Sequence, residues 1–332
     1  MRRLAIVHAS FDPYRPGTAQ CQGDRGRPTW PDLPRRSHLR PQRSHPLGLL
    51  ARRASGSTLS SSATRSSAPP RRGPVLTSLR ELLLYRSLLR DLVARDLKVR
   101  YKRSALGILW TMLNPLLLMI IFTVVFGHVL RVTVEHFAVY FLSAFVLWNF
   151  FAQATSWSTG CLVGHAPLIR KIYVPKSVFV VATVLAGAVN LLISLLPLAL
   201  IMLVVGHPFR PAIAFIPVPI LLATFFSLGL SLALAPLCVM FADIVPIYQV
   251  VLTAWMYLTP IIYPLSALPE RYRRIILLNP MTQLVEAFRI PIYDGAIPSG
   301  QVLLAATTCG VGMLIIGWLV FEHYNDRIAY YV

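Results

Sequence analysis

Charge is what this chain lacks over most of its length. Residues 104–127 contain no ionisable side chain, and five further apolar runs contain no Asp, Glu, Lys, Arg or His. Proton- or ion-coupled carriers and voltage sensors depend on acidic or basic groups inside the membrane, so these classes are disfavoured at once. An intramembrane hydrolase would need a nucleophile with a base, or a metal site. Ser143, Ser156 and Ser194 have no His or Asp at useful spacing and read as helix-packing serines. Lysine is nearly missing too: Lys98, Lys102, Lys171 and Lys176 are the whole set, and none follows a glycine. The Gly-x-x-x-x-Gly-Lys-Ser/Thr phosphate loop is therefore not there, which excludes a P-loop ATPase. Any uphill movement must draw its energy from another polypeptide. Cys21, Cys161, Cys238 and Cys309 show neither metal-ligand nor redox spacing; the last three read as small apolar residues of helices. No pattern asks for a metal or a cofactor on this chain.

What is present is apolar. Of 332 residues, 55% are hydrophobic and 14% charged, against about a quarter charged in a soluble domain. The composition is that of an all-α polytopic membrane protein. The net charge of +19 is unevenly placed. Residues 1–103 hold 22 of the 32 Lys and Arg and 6 of the 13 acids, so the excess belongs to a basic N-terminal portion. Residues 1–73 show no folded basic surface or docking element, which argues against nucleic acid as a partner.

Along the chain, residues 1–73 are rich in Arg, Ser, Pro and Gly without helical or strand periodicity, and are expected to be a disordered basic tail. A sharp compositional break near Pro74 suggests that the tail precedes the true start of translation. Residues 74–332 form the membrane domain. A helix is expected over 77–103, with Leu82, Tyr85, Leu88, Leu89, Leu92 and Val93 recurring at three- and four-residue steps. Such an amphipathic helix suits the inner membrane face, its bases turned to anionic membrane lipids. At Arg95–Pro115 a basic cluster meets a long apolar run, the mark of a cytoplasmic membrane boundary, and Trp110 fits the interfacial aromatic belt.

Six transmembrane helices are expected, at about 106–129, 137–158, 177–205, 212–240, 247–263 and 302–321, each near the roughly 20 residues that cross the bilayer. Pro197 and Pro236 should tilt or kink the third and fourth. The basic loop around Arg170, Lys171 and Lys176 places that turn inside, and an even span count leaves both the N- and C-termini cytoplasmic. Residues 265–301 should be external, although Arg271, Arg273 and Arg274 depart mildly from the charge bias. Pro264, Pro269, Pro280, Pro291 and Pro298 divide this segment, and its apolar pieces 272–278 and 281–290 are expected to form a pair of re-entrant helices before the last span. Aromatic rings are the remaining resource. Trp148, Phe151 and Trp157 in the second span and Tyr257 in the fifth could line a passage for amphipathic, sugar-bearing chains, or serve packing and interfacial belts alone.

Residues 95–115, reading Arg-Asp-Leu-Lys-Val-Arg-Tyr-Lys-Arg-Ser-Ala-Leu-Gly-Ile-Leu-Trp-Thr-Met-Leu-Asn-Pro, closely resemble the start of the first span in polysaccharide-export ABC transporter permeases. The resemblance continues through Leu168-Ile169-Arg170-Lys171-Ile172-Tyr173-Val174-Pro175-Lys176, through Leu258-Thr259-Pro260-Ile261-Ile262-Tyr263-Pro264, and through Leu278-Asn279-Pro280 to Glu286-Ala287-Phe288-Arg289. It covers about residues 76–332. One departure is Phe241-Ala242-Asp243, where the family often carries Arg before the Asp.

The resemblance implies a multi-pass permease of the cytoplasmic (inner) membrane that exports O-antigen, capsule or teichoic acid as a lipid-linked glycan. It implies a homodimer working with two copies of a separate P-loop ATP-binding subunit, which would hold ATP and Mg. His165, Leu168, Ile169, Arg170, Lys171, Ile172, Tyr173, Pro175 and Lys176 correspond to the family's ATPase-coupling loop. Arg95, Asp96, Lys98, Arg100, Tyr101, Lys102 and Arg103 correspond to the interfacial gate helix where a lipid diphosphate would arrive, Arg being able to fork onto phosphate oxygens. The alternatives are an ABC permease for another lipid or a drug, and a membrane-bound glycan-assembly enzyme.

Overall fold

The computed structural model describes residues 84–102, 107, 109–125, 134–171 and 174–331, so the expected tail lies outside the described residues. The described chain is helical. In order it forms α1 Arg86–Tyr101, α2 Leu109–Phe122, α3 Phe137–Gly164, α4 Ala166–Ile169, α5 Ser177–Val205, a 3-10 turn Pro211–Phe215 and α6 Pro217–Met240. Then come α7 Ile244–Leu258, a 3-10 turn Leu265–Ala267, α8 Glu270–Leu277, α9 Pro280–Tyr293 and α10 Gly300–Tyr331.

Among the described residues four segments are long and apolar enough to cross a membrane: Phe137–Gly164, Ser177–Val205, Pro211–Met240 and Gly300–Ile328. The expected first and fifth spans appear as shorter apolar helices, Met112–Val125 and Ile244–Leu258. At 1.5 Å per residue, 15 residues of α7 reach only about 22 Å of the roughly 30 Å of hydrocarbon. The reason is local. Pro260 offers no N–H and disfavours helical backbone at the residue before it, and Thr259 is extended, with φ −101° and ψ 133°. The helix therefore stops two residues short of Ile261, inside what the sequence pattern reads as one span. Pro197 and Pro236, by contrast, lie within α5 and α6, which continue through them.

α3 is the axis of the packing. It is the most enclosed of the four long helices and touches α2, α5, α6, α7 and α9. Val139, Phe141, Leu142, Ala144, Leu147 and Phe151 on it are wholly buried. Phe137, Phe141 and Phe145, one helical turn apart, stack along one side, with ring centroids 6.3 and 5.2 Å apart. A second apolar cluster joins the other end of the bundle: Leu92 of α1, Leu162 of α3, Val178, Phe179 and Val180 of α5, Leu232 of α6, and Trp318, Phe321 and Ile328 of α10. Tyr85, Leu88, Leu89 and Val93, read from periodicity as the apolar face of α1, pack here. That face is thus covered by protein.

The most extensive helix pair is α6 with α10, and glycine permits it. A Cβ on Gly229 would collide with the backbone of Met313 and Leu314, and one on Gly317 with the carbonyl of Gly229. Gly310 would bring its Cβ to 2.8 Å from the Leu222 carbonyl oxygen. Where lipid removes the hydrophobic drive between helices, such backbone approach supplies the dispersion contacts that hold them. Gly312, on the same helix, faces open space. Gly229→Ala or Gly317→Ala should therefore lower stability by about 2 kcal/mol or more, as overpacking does, and Gly312→Ala should be near neutral. Thermal unfolding of the three variants in detergent checks this; equal melting temperatures would rule out backbone contact.

Candidate functional site

The broken end of α7 exposes main-chain oxygens to an apolar interior, where an unpaired carbonyl is costly. Arg289 of α9, 2% exposed, meets that need. Its Nη2 donates to the carbonyls of Pro260 at 2.7 Å and Ile261 at 3.4 Å, and its Nη1 donates to Tyr140 Oη at 2.8 Å and Glu286 Oε1 at 3.0 Å. The guanidinium carbon also lies 3.9 Å from the centre of the Tyr140 ring. Tyr140 in turn donates to the Tyr263 carbonyl at 3.2 Å. One buried cation thereby joins α3, α9 and the segment after α7, with Glu286 as its counter-charge.

Asn279 makes the neighbouring joint. As the N-cap of α9 its Oδ1 accepts from the amide N–H of Met281 at 3.0 Å and from Trp255 Nε1 at 2.8 Å. Its Nδ2 donates to Thr259 Oγ1 at 3.1 Å and to the Leu258 carbonyl at 3.2 Å. The Leu-Asn-Pro motif is thus a cap, Asn for the first free N–H groups and Pro at the first helical position, that also closes the frayed end of α7. Beside it, Tyr293 donates to the Glu135 carbonyl at 2.5 Å, and His207 lies parallel to Tyr293 with its Nε2 3.1 Å from the Ile292 carbonyl oxygen. Arg210 donates to the Asp294 carbonyl at 2.6 Å. Burial raises the Asp294 carboxyl above the usual carboxylate range, while Arg289, Arg210 and His207 pull it back.

Between α3 and α7 lies an open groove of about 280 Å³ lined by Trp148, Gln153, Ser156, Trp157, Gln249 and Thr253, with apolar neighbours. Its lining includes two indoles, of which Trp148 is 4% exposed, and four neutral hydrogen-bonding side chains. Of the four aromatics expected along a passage, Trp148 and Trp157 line this groove. Phe151 is fully buried behind it, against Trp148, Phe226 and Trp255 at 5.3 to 5.6 Å between centroids. Tyr257 is exposed outside the groove. Tyr248 fastens α7 to α3 by donating to Thr155 Oγ1 at 2.6 Å.

At the opposite end, the loop expected to couple to an ATPase contains a single helical turn, α4, with Pro167 in its first turn. His165 packs on Phe179 with its Nδ1 2.7 Å from the Cys161 carbonyl oxygen. Leu168 and Ile169 pack onto the second apolar cluster, and Arg170 and Lys171 are exposed. Ile172 and Tyr173 lie outside the described residues. Lys176, beyond Pro175, donates to the Asn325 carbonyl at 2.7 Å, tying the loop to α10. Burial lowers its pKa and Asp326 opposes that shift. On α1, Arg95, Lys98 and Lys102 are exposed along an open groove, and Asp96 is half-buried. The side chains of Arg100 and Tyr101, and the whole of Arg103, lie outside the described residues.

Sequence reasoning quoted Arg289 and Glu286 as part of a motif without foreseeing the buried cation. The available signal was a lone acid and base three residues apart in an otherwise apolar helix, a spacing that puts them side by side. The amides Gln153 and Gln249 carry no sequence signal of their own, since a neutral amide in an apolar helix reads equally well as a packing residue. Arg289→Leu should destabilise the protein by about 3 kcal/mol or more, since it strands Glu286 and two buried carbonyls. Arg289→Lys should recover only part of this, because an ammonium lacks the planar fork. Thermal unfolding in detergent measures both; a lysine variant as stable as the natural protein would show that fork geometry is immaterial.

Comparison with known proteins agrees with this architecture. The ABC-2 type transporter family matches residues 87–293, from α1 through α9. The O-antigen export system permease protein RfbA of Myxococcus xanthus is 32% identical over 257 residues, covering 76% of this chain and 97% of that protein. RfbA of Klebsiella pneumoniae is 27% identical over 238 residues, 71% of this chain and 91% of that protein. The capsule polysaccharide export inner-membrane protein CtrC of Neisseria meningitidis is 21% identical over 255 residues, 75% and 96% of the two chains. With most of its helices inside that match, the chain belongs to the ABC-2 type transporter family and is a membrane permease, the transport component without an ATPase domain.

Proposed function

We infer that this chain is the multi-pass permease of an exporter that moves a lipid-linked polysaccharide, of the O-antigen or capsule kind, across the cytoplasmic membrane. Its relatives carry those activities in their names. The observation that carries the substrate class is the groove between α3 and α7. Indole faces stack on sugar rings, and neutral amides and hydroxyls exchange hydrogen bonds with successive sugars without holding any of them by fixed charge.

The working unit is a homodimer with two copies of a separate ATP-binding subunit. Residues 74–332 make up the permease and residues 1–73 a basic tail. α2 and α7, together with the irregular residues that follow α7, complete six crossings, with both termini cytoplasmic. α8 and α9 are the outer re-entrant pair. α1 is the gate helix on the inner face, where Arg95, Lys98 and Lys102 meet the diphosphate of the arriving lipid. The loop from His165 to Lys176 docks on the ATPase; Leu168, Ile169 and the Lys176–Asn325 contact give it a firm seat on α5 and α10. ATP-driven closure of the partner subunits would then be passed through this seat to the bundle, and the two protomers would part along α2 and α7.

Affinity purification of the tagged chain in mild detergent tests this reading. A P-loop ATPase should co-purify at one-to-one stoichiometry. Arg170→Glu combined with Lys171→Glu should abolish that association while leaving the melting temperature unchanged, since both side chains are exposed. A chain that purifies with no ATPase would overturn the exporter reading; an ATPase retained by the double variant would displace only the docking loop.

A further inference from the structure

The short helix α8 is unusual in having no buried residue at all. Tyr272 and Ile275 are 57% and 58% exposed, and Leu278, just beyond its end, is 83% exposed. Among its eight residues are Arg271, Arg273 and Arg274 against the single acid Glu270, and the one ion pair it makes among the described residues, Arg274 to Glu270, is long at 3.9 Å and largely exposed. All of its residues but Leu277, which falls among the polar ones, are also sorted by face. At about 100° per residue, Tyr272, Ile275 and Ile276 fall within one sector roughly 100° wide. Arg271 and Arg273 flank that sector on its two sides, and Glu270 and Arg274 lie opposite. At its far end the Gln283 side chain donates to the Leu277 carbonyl at 2.7 Å, and Asn279, which follows the helix, caps α9.

We propose that α8 is a docking surface for anionic phospholipid headgroups of the outer leaflet of the cytoplasmic membrane. The apolar sector of Tyr272, Ile275 and Ile276 enters the acyl boundary. Arg271 and Arg273, at the edges of that sector, extend to phosphates at headgroup level while their stems cover apolar surface. Arg274 adds charge from above. A basic residue close to an anionic surface enriches it about fivefold. Two such contacts offset the departure of this segment from the charge bias of external loops. Because α8 is rigidly joined through Asn279 to the end of α7 and the start of α9, lipid held there fixes the height of the outer segment relative to the membrane. This rests on the external placement of residues 265–301 under the proposed topology.

The test uses the full chain with a photo-reactive phenylalanine analogue in place of Tyr272. The protein is reconstituted in phosphatidylcholine vesicles with or without phosphatidylglycerol, and adducts are identified by mass spectrometry. The expected result is a phosphatidylglycerol adduct that falls at least tenfold with Arg271→Gln and Arg273→Gln together, and falls likewise at high salt. Cross-links to a second copy of the chain, or lipid adducts indifferent to phosphatidylglycerol and to the arginines, would overturn the proposal. A separate measurement places the helix: Ser266→Cys should react with a membrane-impermeant maleimide from outside intact cells, above the level of the unsubstituted chain. Labelling from the cytoplasmic side alone would overturn both the topology and the outer-leaflet assignment. Labelling from outside, with adducts indifferent to phosphatidylglycerol, would overturn the lipid proposal and leave the topology standing.

Discussion

Main-chain carbonyls that lose their helical partners inside an apolar bundle must be satisfied by something, and here that need shapes one whole end of the molecule. Pro260 ends α7 early, and the oxygens of Pro260 and Ile261 turn toward Arg289. Burying a guanidinium is itself costly, so Glu286 lies beside it and the Tyr140 ring lies against it. That requirement fixes how α9 sits on α3. It also explains why the segment from Thr259 to Tyr293 holds together although prolines divide it into short pieces. A break in a helix and a buried cation are two halves of one arrangement.

The remainder of the bundle is held by a different device. α6 and α10 approach until backbone meets backbone at Gly229, Gly310 and Gly317, with no charge involved. α3 fills the centre with stacked phenylalanines and fully buried aliphatic side chains. The end of the bundle opposite Arg289 is closed by the second apolar cluster, which draws α1, α5, α6 and α10 together beside the loop that carries Arg170 and Lys171. A load applied to that loop is therefore received by packed apolar surface and by the Lys176–Asn325 contact. A groove lined by two indoles and four neutral polar groups lies between α3 and the shorter α7.

Much of this was legible in residue order, for identifiable reasons. Long apolar runs without ionisable groups marked the four long helices, because a period of 3.6 and a length near 20 residues leave little ambiguity. The apolar face of α1 was readable from Tyr85, Leu88, Leu89, Leu92 and Val93. The helix pair α8 and α9 was visible from the prolines that bound it. The fifth expected span is helical only to Leu258, because hydropathy counts Pro260 as one more tolerable residue, whereas helical backbone is disfavoured ahead of it. Phe151 and Tyr257 looked equivalent to Trp148 and Trp157, since composition does not say which rings face a groove and which face the core.

By itself the sequence determined that the chain is helical and membrane-embedded, that it lacks a P-loop, and roughly where its long helices lie, because these follow from local composition, backbone chemistry and helical period. Only the tertiary structure decided that Arg289 and Tyr140, 149 residues apart, share one hydrogen bond, that Asn279 closes the end of α7, and that Gln153 and Gln249 face the same groove. Those outcomes depend on which helix lies against which. That choice is made by the summed fit of side chains and glycine contacts over the whole bundle, and no single stretch of residues carries it.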